Sequence, residues 1–347
     1  MTSFRNFGEQ LLAVRAAALQ PYRTDARLLE LNRRGVGGAA GASEAVPADG
    51  GFVVAPEFSN TLVERVYADS EVLSRVTNLP MRSSSIAFPT FDEQSRADGS
   101  RFGGIRGYWQ NEADTATATK PKFSRRELAT KKLVIFCYLT DELVEDADAL
   151  GAFVEAGFKK EAQFKLVDGI VNGDGAGKPN GILSSGALIT VAKDSGQSSG
   201  TLITDNVTGM WGRLWPGSSQ TAVWLISKTV EASLATLNMT VGAAGSLVFF
   251  YKPGTPYNTL MGRPVITIEQ CQKIGTPGDI VLADLSRYVV GMRAADLAVS
   301  MHIEFLSDQT AFRFVMRVDG QTIDHTPVVP FDGSGTTVSP FLCIAER

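Results

Sequence analysis

The sequence predicts an α+β fold, in which one long helix separates a short N-terminal β region from a mostly β-like C-terminal half. Apolar residues recur every three or four positions from residue 150 to residue 171, which is the period of an amphipathic helix. Residues 186–347 instead form short β-like runs separated by glycine and proline. Because 347 residues exceed the usual size of a single core, we expect two domains or one elaborated domain.

An amphipathic helix is predicted near the N-terminus, over residues 3–19, and Pro21 would end it. Four apolar residues would share one face of this helix: Phe4, Phe7, Leu11 and Val14. Residues 35–51 are rich in glycine and alanine, which predicts a flexible linker. An isolated helix of this length is marginal in water, so we expect the arm to dock outside its own domain.

Residues 92–127 are polar and rich in threonine, and so long a stretch without a core signal is uncommon in a compact domain. We expect either disorder or an extended hairpin that becomes buried on a neighbouring molecule. Isolated aromatic residues punctuate the stretch: Phe102, Tyr108, Trp109 and Phe123. Its seven cations and six acids do not form the cationic groove of a base-stacking surface, so protein contact is favoured for Phe102 and Trp109.

A capped helix followed by a glycine-dense loop is predicted over residues 139–183. Thr140 would cap the helix, and the two acidic residues after it would complement the positive helix end. Gly173 would end the helix in the left-handed conformation that favours glycine. A short strand would follow the loop at residues 182–183.

The C-terminal half is predicted to contain one helix, over residues 228–237, with Ser227 as its cap. Asp319-Gly320 is typical of a hairpin turn, which predicts that residues 310–318 pair with residues 322–329. The other strand candidates are residues 247–251, 264–268, 280–283 and 288–292.

Composition excludes several classes of protein. A net charge of −4 gives no overall attraction for nucleic acid. The three cysteines form no CxxC pair, which argues against a disulfide framework and a structural zinc site. The longest apolar run, residues 133–139, is too short to span a membrane, and the N-terminus lacks the apolar core of a secretion signal. We therefore expect a cytoplasmic product.

The sequence GQSSG at residues 196–200 matches the nucleophile elbow of serine hydrolases, with Ser198 as the nucleophile and His302 or His325 as its partner. Such a match arises easily in a chain with 34 glycines. A nucleophile elbow also requires a helix directly after the serine, whereas TLITDNVTG predicts strand and turn. A linker is therefore favoured over a catalytic site.

The glycine-dense run GDGAGKP at residues 173–179 has features of a ligand-binding loop but fails both tests. As a phosphate loop it has Pro179 in place of Ser or Thr, and it follows a helix where a strand is required. As a calcium loop it has Ala176 and Leu183 at ligand positions. With only two histidines, we expect no metal, cofactor or catalytic residue.

Motifs spread over most of the chain occur in a recognisable order. They are GGFVVAPEFSNTLVERVYADS at 50–70, IAFPTF at 86–91, LTDELVEDADALGAF with the long helix and VNGDGAGKPNGIL, then WLISKTVEASLATLNMTVG, TLMGRPVITIEQ, DIVLADLSRYVVGMR and FRFVMRVDGQTI. Together they resemble the major capsid proteins of tailed bacteriophages, the Hong Kong 97-type coat family. The 1–50 arm and the 92–119 loop tip match only in character.

The resemblance implies a Hong Kong 97-type fold with a long spine helix in its peripheral domain and a mixed sheet flanked by helices in its axial domain. The implied segments are an arm (1–50), peripheral domain (51–91 and 128–190), extended loop (92–127), axial domain (191–305), return strands (306–327) and axial end (328–347). Arm and loop would reach neighbouring subunits, with these contact candidates: Phe4, Phe7, Leu11, Phe102, Trp109 and Lys120.

The resemblance also implies a structural protein of the virion, not an enzyme, assembled in the host cytoplasm through pentamers and hexamers around double-stranded DNA. Expected partners are further copies of the chain, a portal, a separate scaffolding protein, weakly bound DNA and a possible decoration protein. An encapsulin-like compartment is the alternative with the same fold, although the long 92–127 loop disfavours it. A hydrolase using Ser198 is the alternative from another class.

Two features of the chain depart from the family pattern. Only 49 residues precede Gly50, so we expect a separate scaffold or none. In the type member a loop lysine bonds covalently to an asparagine of a neighbour, and Lys120 matches that lysine. Because no asparagine occurs after Asn258, we predict a shell without this cross-link.

Overall fold

A computed structural model describes most of the chain. The described residues are 9–10, 13, 16–17, 25–29, 51–53, 65–67, 70–91, 93–109, 111, 118–140, 147–241, 246–249, 251–254, 256–304 and 309–347. The helices whose full bounds lie within the described residues are α1 (Ala147–Asn172), α2 (Thr204–Gly212) and α3 (Lys228–Ala235). The strands are β1 (Gly51–Val53), β2 (Thr77–Pro80), β3 (Ser85–Phe91), β4 (Phe123–Ala129), β5 (Lys131–Thr140), β6 (Ile189–Val191), β7 (Val223–Ile226), β8 (Asn238–Val241), β9 (Ser246–Phe249), β10 (Tyr251–Lys252), β11 (Thr259–Leu260), β12 (Arg263–Thr267), β13 (Ile280–Ala283), β14 (Tyr288–Glu304), β15 (Gln309–Thr322) and β16 (Phe341–Ile344).

The first sheet has the order β1-β14-β15-β5, and β2 adds to it in parallel beside β14. Strand β15 is buried over most of its length because helix α1 packs against this sheet. The rings of Phe158 on α1 and Phe314 on β15 stack with their centroids 6.0 Å apart. Apolar spacing on α1 therefore builds the core of this half of the molecule, as the helical period predicted.

The second sheet has the order β10-β11-β12-β7-β13-β16-β6 and mixes parallel with antiparallel pairs. Its central strands, β7, β13 and β16, consist wholly of buried residues. The fully buried Trp224 fixes one edge of this sheet, because its indole Nε1 donates to the Leu260 carbonyl at 2.9 Å. Helices α2 and α3 add Met210 and Leu234 to the same core.

The pair Asp319-Gly320 lies inside β15, so the predicted hairpin between residues 310–318 and 322–329 is wrong. Gly320 is required for packing, since a Cβ there would lie 2.7 Å from the Tyr288 hydroxyl oxygen. The Asp319 carboxylate accepts from the Ala129 amide and from Lys131 Nζ, each at 2.9 Å. Asp319 and Gly320 therefore serve side-chain bonding and close packing within the sheet, although the pair is typical of a turn.

Strand β14 is the antiparallel partner of β15 and is hydrogen-bonded to it along most of its length. The predicted strand at residues 288–292 is thus only the beginning of a strand that continues to Glu304. Although β14 lies within the predicted 191–305 segment, it belongs to the first sheet.

Three details of the 139–183 prediction are corrected. Thr140 is not a helix cap but the last residue of β5, where it pairs with Gln309. Residues 182–184 form a short 3-10 helix rather than a strand. Helix α1 does end before Gly173, but the left-handed glycines of this loop are Gly175 and Gly177.

Gly173 itself is needed for a close approach between two parts of the backbone. A Cβ at this position would lie 2.1 Å from the Pro179 carbonyl oxygen and 2.4 Å from that of Gly169. The Gly181 amide donates to the Gly173 carbonyl at 2.8 Å, which holds the loop folded back on the helix end. The loop is therefore a packed connection, as its lack of side-chain bulk indicated.

Candidate assembly surface

Strands β3 and β4 form a two-stranded antiparallel hairpin on either side of the predicted extended loop. Their pairing runs from Ser85 with Ala129 to Phe91 with Phe123. Within the 92–127 stretch, residues 123–127 belong to this hairpin, and burial of the stretch on a neighbouring molecule stays a prediction. The loop continues past Phe91 as an irregular segment, of which residues 93–109, 111 and 118–122 are described.

Exposed aromatic residues concentrate on this hairpin and its loop, and we call them the loop surface: Phe91, Phe102, Tyr108, Trp109 and Phe123. Phe91 contacts both Phe102 and Phe123, with ring centroids 5.4 Å apart in each pair. Trp109 is 105% exposed, so it has no packing partner within the described part of the subunit. Several large apolar side chains held together in water are typical of a protein–protein contact.

The turn beneath the loop surface is held by specific bonds. Phe102 has a positive φ of 49°. The Lys122 amide donates to the carbonyl of the neighbouring Gly103 at 2.8 Å. The hydroxyl and amide of Ser100 and the guanidinium of Arg106 hold the pKa of the Asp98 carboxyl well below its usual value. The aromatic rings are therefore presented by an ordered turn.

The predicted contact residues fall into two groups. Phe102, Trp109 and Lys120 all lie in the extended loop, and Lys120 is exposed there. The arm candidates lie outside the described residues: Phe4, Phe7 and Leu11. The structure thus places the three loop candidates in the extended loop, where all are exposed, and shows no contact among their side chains within the described residues.

Strand β5 adds a second exposed apolar surface that the sequence predictions missed. Within the described ranges it pairs with β15 along one edge only, and Phe136 and Tyr138 on its outer face are 56% and 49% exposed. Residues on the alternate face, such as Ile135, pack towards the core beneath helix α1. The signal was present in the run KKLVIFCYLT, whose two faces are both apolar although only one can meet the core.

The turn around Ser198 is a structural connection. Gln197 exchanges hydrogen bonds with the buried Asn206 amide group at 2.7 and 3.0 Å, and Gly200 donates to the Arg347 carbonyl at 3.0 Å. The prediction that strand and turn follow Ser198 is wrong, since helix α2 starts at Thr204. His325 Nε2 instead lies 3.0 Å from the hydroxyl of Ser124 on β4, in another part of the molecule.

The polar side chains of the glycine-dense loop after α1 bond to other residues of the same loop. The Asp174 carboxylate accepts from the Ala176 amide at 3.0 Å and pairs with Lys178 at 3.6 Å. These contacts lower the pKa of Asp174, the amide of Ala176 contributing most. Within the described ranges, no group of three or more His, Cys, Asp or Glu residues is arranged to hold a metal ion. Across those same ranges, no helix is long and apolar enough to cross a membrane.

The chain belongs to the phage capsid family, whose family model matches residues 50–333. It is therefore a major coat protein that forms the icosahedral shell of a virion, and the predicted Hong Kong 97-type α+β fold is confirmed. Neither the encapsulin-like nor the serine-hydrolase alternative receives support.

Solved capsid structures share this fold at low sequence identity. The capsid of a native GTA particle is 17% identical with a TM-score of 0.59, over 81% of this chain and 90% of that chain. Mycobacterium phage Adephagia gives 15% identity and a TM-score of 0.55, over 93% and 98% of the two chains. A procapsid of satellite phage P4 that includes the size determination protein gives 9% and 0.51, over 83% and 99%. No curated protein sequence matches the chain.

Proposed function

We propose that the subunit assembles through pentamers and hexamers by burying its loop surface on neighbouring copies, and that the shell encloses double-stranded DNA. The observation that carries this proposal is Trp109, which is 105% exposed in the same extended loop as Phe102 and Phe123, whose exposed rings both contact the exposed ring of Phe91. Leaving such rings in water forfeits about 1.5–3 kcal/mol of burial for each large side chain. A neighbouring copy is available wherever the subunit is concentrated enough to form a shell.

The arm is proposed to make a second contact of the same kind, through Phe4, Phe7 and Leu11. The chemistry consists of apolar burial and strand pairing, so the subunit needs no catalytic residue, metal or cofactor. A portal, a separate scaffolding protein and a decoration protein are proposed as further partners. With a net charge of −4, contact with packaged DNA would be weak and non-specific. Assembly would occur in the host cytoplasm.

The domain division is likewise a proposal, with one adjustment. The peripheral domain would contain the spine helix α1 and the first sheet, and the axial domain would contain the second sheet. Because β14 pairs with β15, residues 288–304 are better grouped with the return strands than with the axial domain.

Electron microscopy of the purified protein, combined with analytical ultracentrifugation, tests the proposed function. We expect closed shells or capsomers of several subunits. A chain that remains a monomer at high concentration would overturn the proposal. Treating assembled particles with nuclease and then measuring nucleic acid tests whether DNA is enclosed.

A further inference from the structure

One segment, the connector (residues 321–329), attaches both strand β4 and the loop beyond strand β3 to the body of the same subunit. On the first side, the connector pairs with the loop just beyond β3. The Arg96 amide donates to the Val329 carbonyl at 2.8 Å, and the Val329 amide donates to the Gln94 carbonyl at 3.0 Å. Ser95 and Val329 form a parallel β-bridge between these bonds.

On the second side, the connector receives side chains from β4. Ser124 Oγ lies 3.0 Å from His325 Nε2, and Arg126 Nη2 donates to the Asp324 carbonyl at 2.9 Å. Asp324 is in turn paired with Arg287, next to the start of β14. Strand β4 and the loop residues that follow β3 thus bond to the same nine-residue segment.

Arg96 adds a contact that reaches beyond the connector to the second sheet. Its guanidinium carbon lies 4.1 Å from the centroid of the Trp215 ring, within the range of a strong cation–π contact. Glu93 accepts from Arg96 Nη2 at 2.9 Å, which orients the guanidinium plane. The Trp215 amide donates to the Ser339 carbonyl at 2.9 Å, two residues before β16 of the second sheet.

The connector also bonds through its own backbone to the segment just before β16. The amides of Val328 and Val338 each donate to the carbonyl of the other at 2.9 Å. A continuous path of hydrogen bonds and ring contact therefore leads from the loop root to β16. A hinge would require an unpaired segment at the loop root, and the described residues there are paired.

We propose that Arg96, Trp215 and the Ser95–Val329 bridge form a loop latch, which makes the extended loop and the second sheet move as one body. The latch fixes the direction in which the loop surface leaves the subunit. Its role in assembly rests on the proposed function, whereas its effect on the loop root does not.

Hydrogen–deuterium exchange of the unassembled subunit tests the latch directly. Removing the cation–π contact by Arg96→Ala should accelerate exchange of the amides at 94–105 and 328–329 by at least about fivefold. Arg96→Lys keeps the charge but loses the planar fork, so it should give an intermediate rate. Arg82→Ala, at an exposed arginine between β2 and β3, is the matched control and should leave these amides unchanged.

A disulfide can restore the latch without Arg96. Bridged residues in neighbouring strands lie within disulfide range, so Ser95→Cys with Val329→Cys should slow exchange again when oxidised in the Arg96→Ala background. Unchanged exchange in Arg96→Ala, or no rescue by oxidation, would overturn the latch.

The yield of closed shells tests whether the latch contributes to assembly. We expect Arg96→Ala to yield fewer closed shells than the wild type and the oxidised disulfide variant to recover them. Equal shell yields in Arg96→Ala and wild type would show that the latch does not guide assembly. If the wild-type protein itself fails to form shells, the proposed function fails, while the exchange rates still decide whether the latch exists.

Discussion

The guanidinium of Arg347 lies 2.6 Å from the carboxylate of Asp279, and both side chains are fully buried. Each group is satisfied by further bonds. Arg347 Nε donates to the Thr201 carbonyl at 2.6 Å, and Asp279 accepts from the amides of Gly275 and Ile280 at 2.9 and 2.8 Å. This ion pair fastens the 196–200 turn and the 275–279 loop to the second sheet.

Removing the charge of one partner should leave the other buried and unpaired. We expect Arg347→Met to lower the free energy of unfolding by about 3–5 kcal/mol, measured by urea denaturation of the unassembled subunit. Replacing both partners, as in Arg347→Met with Asp279→Leu, should cost less than the single change. A double variant less stable than Arg347→Met would contradict this account of the pair.

Two glycines, one inside helix α1 and one directly after its last residue, should respond oppositely to alanine. Gly173→Ala places a methyl group against the Pro179 carbonyl oxygen, so we expect a loss of about 3 kcal/mol or more. Gly157→Ala, in exposed helix with open space at its Cβ position, should gain up to about 1 kcal/mol. Thermal unfolding of both variants checks the pair, and equal melting temperatures would refute it.

Alanine substitutions at Trp109 and Trp224 should distinguish an effect on assembly from an effect on folding. Trp109→Ala removes a fully exposed ring, so the melting temperature of the unassembled subunit should stay within a few degrees while shell yield falls. Trp224→Ala empties a fully buried site in the second sheet and should cost about 3–5 kcal/mol of stability. Normal shell yield from Trp109→Ala would argue that the loop surface is not an assembly contact.

The shell should carry no covalent link through Lys120, because the chain has no asparagine after Asn258. Assembled particles boiled in detergent should therefore run as single subunits on a gel. Lys120→Ala particles should give the same pattern. A ladder of multimers in the wild type that Lys120→Ala abolishes would show the prediction to be wrong.

The thiols should differ in reactivity. Burial raises the pKa of the Cys271 thiol from 9.0 to about 12, and it also raises that of Cys343. At pH 8.5 a thiol reagent should modify the more exposed Cys137 first and reach the other two only after denaturation. Because the folded pKa of Cys271 is raised, its contribution to stability is present below about pH 9 and falls as pH rises towards 12. Rapid modification of Cys271 in the folded subunit would contradict this.

Periodicity in the sequence predicted the long helix and most central strands, since buried faces leave a regular apolar pattern. It failed where a long-range partner overrides a local signal. Asp319-Gly320 is typical of a turn, yet Lys131 and Tyr288 hold it inside a strand. Thr140 is typical of a helix cap, yet it pairs with Gln309 in the first sheet.

Local sequence patterns also predicted only part of the candidate assembly surface. Isolated aromatic residues in a polar stretch predicted a protein contact at Phe102 and Trp109; both side chains are exposed in the subunit, and the contact itself stays a prediction. Phe136 and Tyr138 were missed because an apolar strand is normally assumed to be buried on both faces. The contact between Arg96 and Trp215 joins residues far apart in the chain and follows no local pattern.

The reciprocal bonds between Val328 and Val338 close a turn whose residues 331–336 are all exposed. Since both ends of this turn are tied together, its tip can be lengthened without opening the sheets. The turn is thus a suitable place to graft a foreign epitope or an affinity peptide. Every subunit of the shell would then carry one copy of the graft.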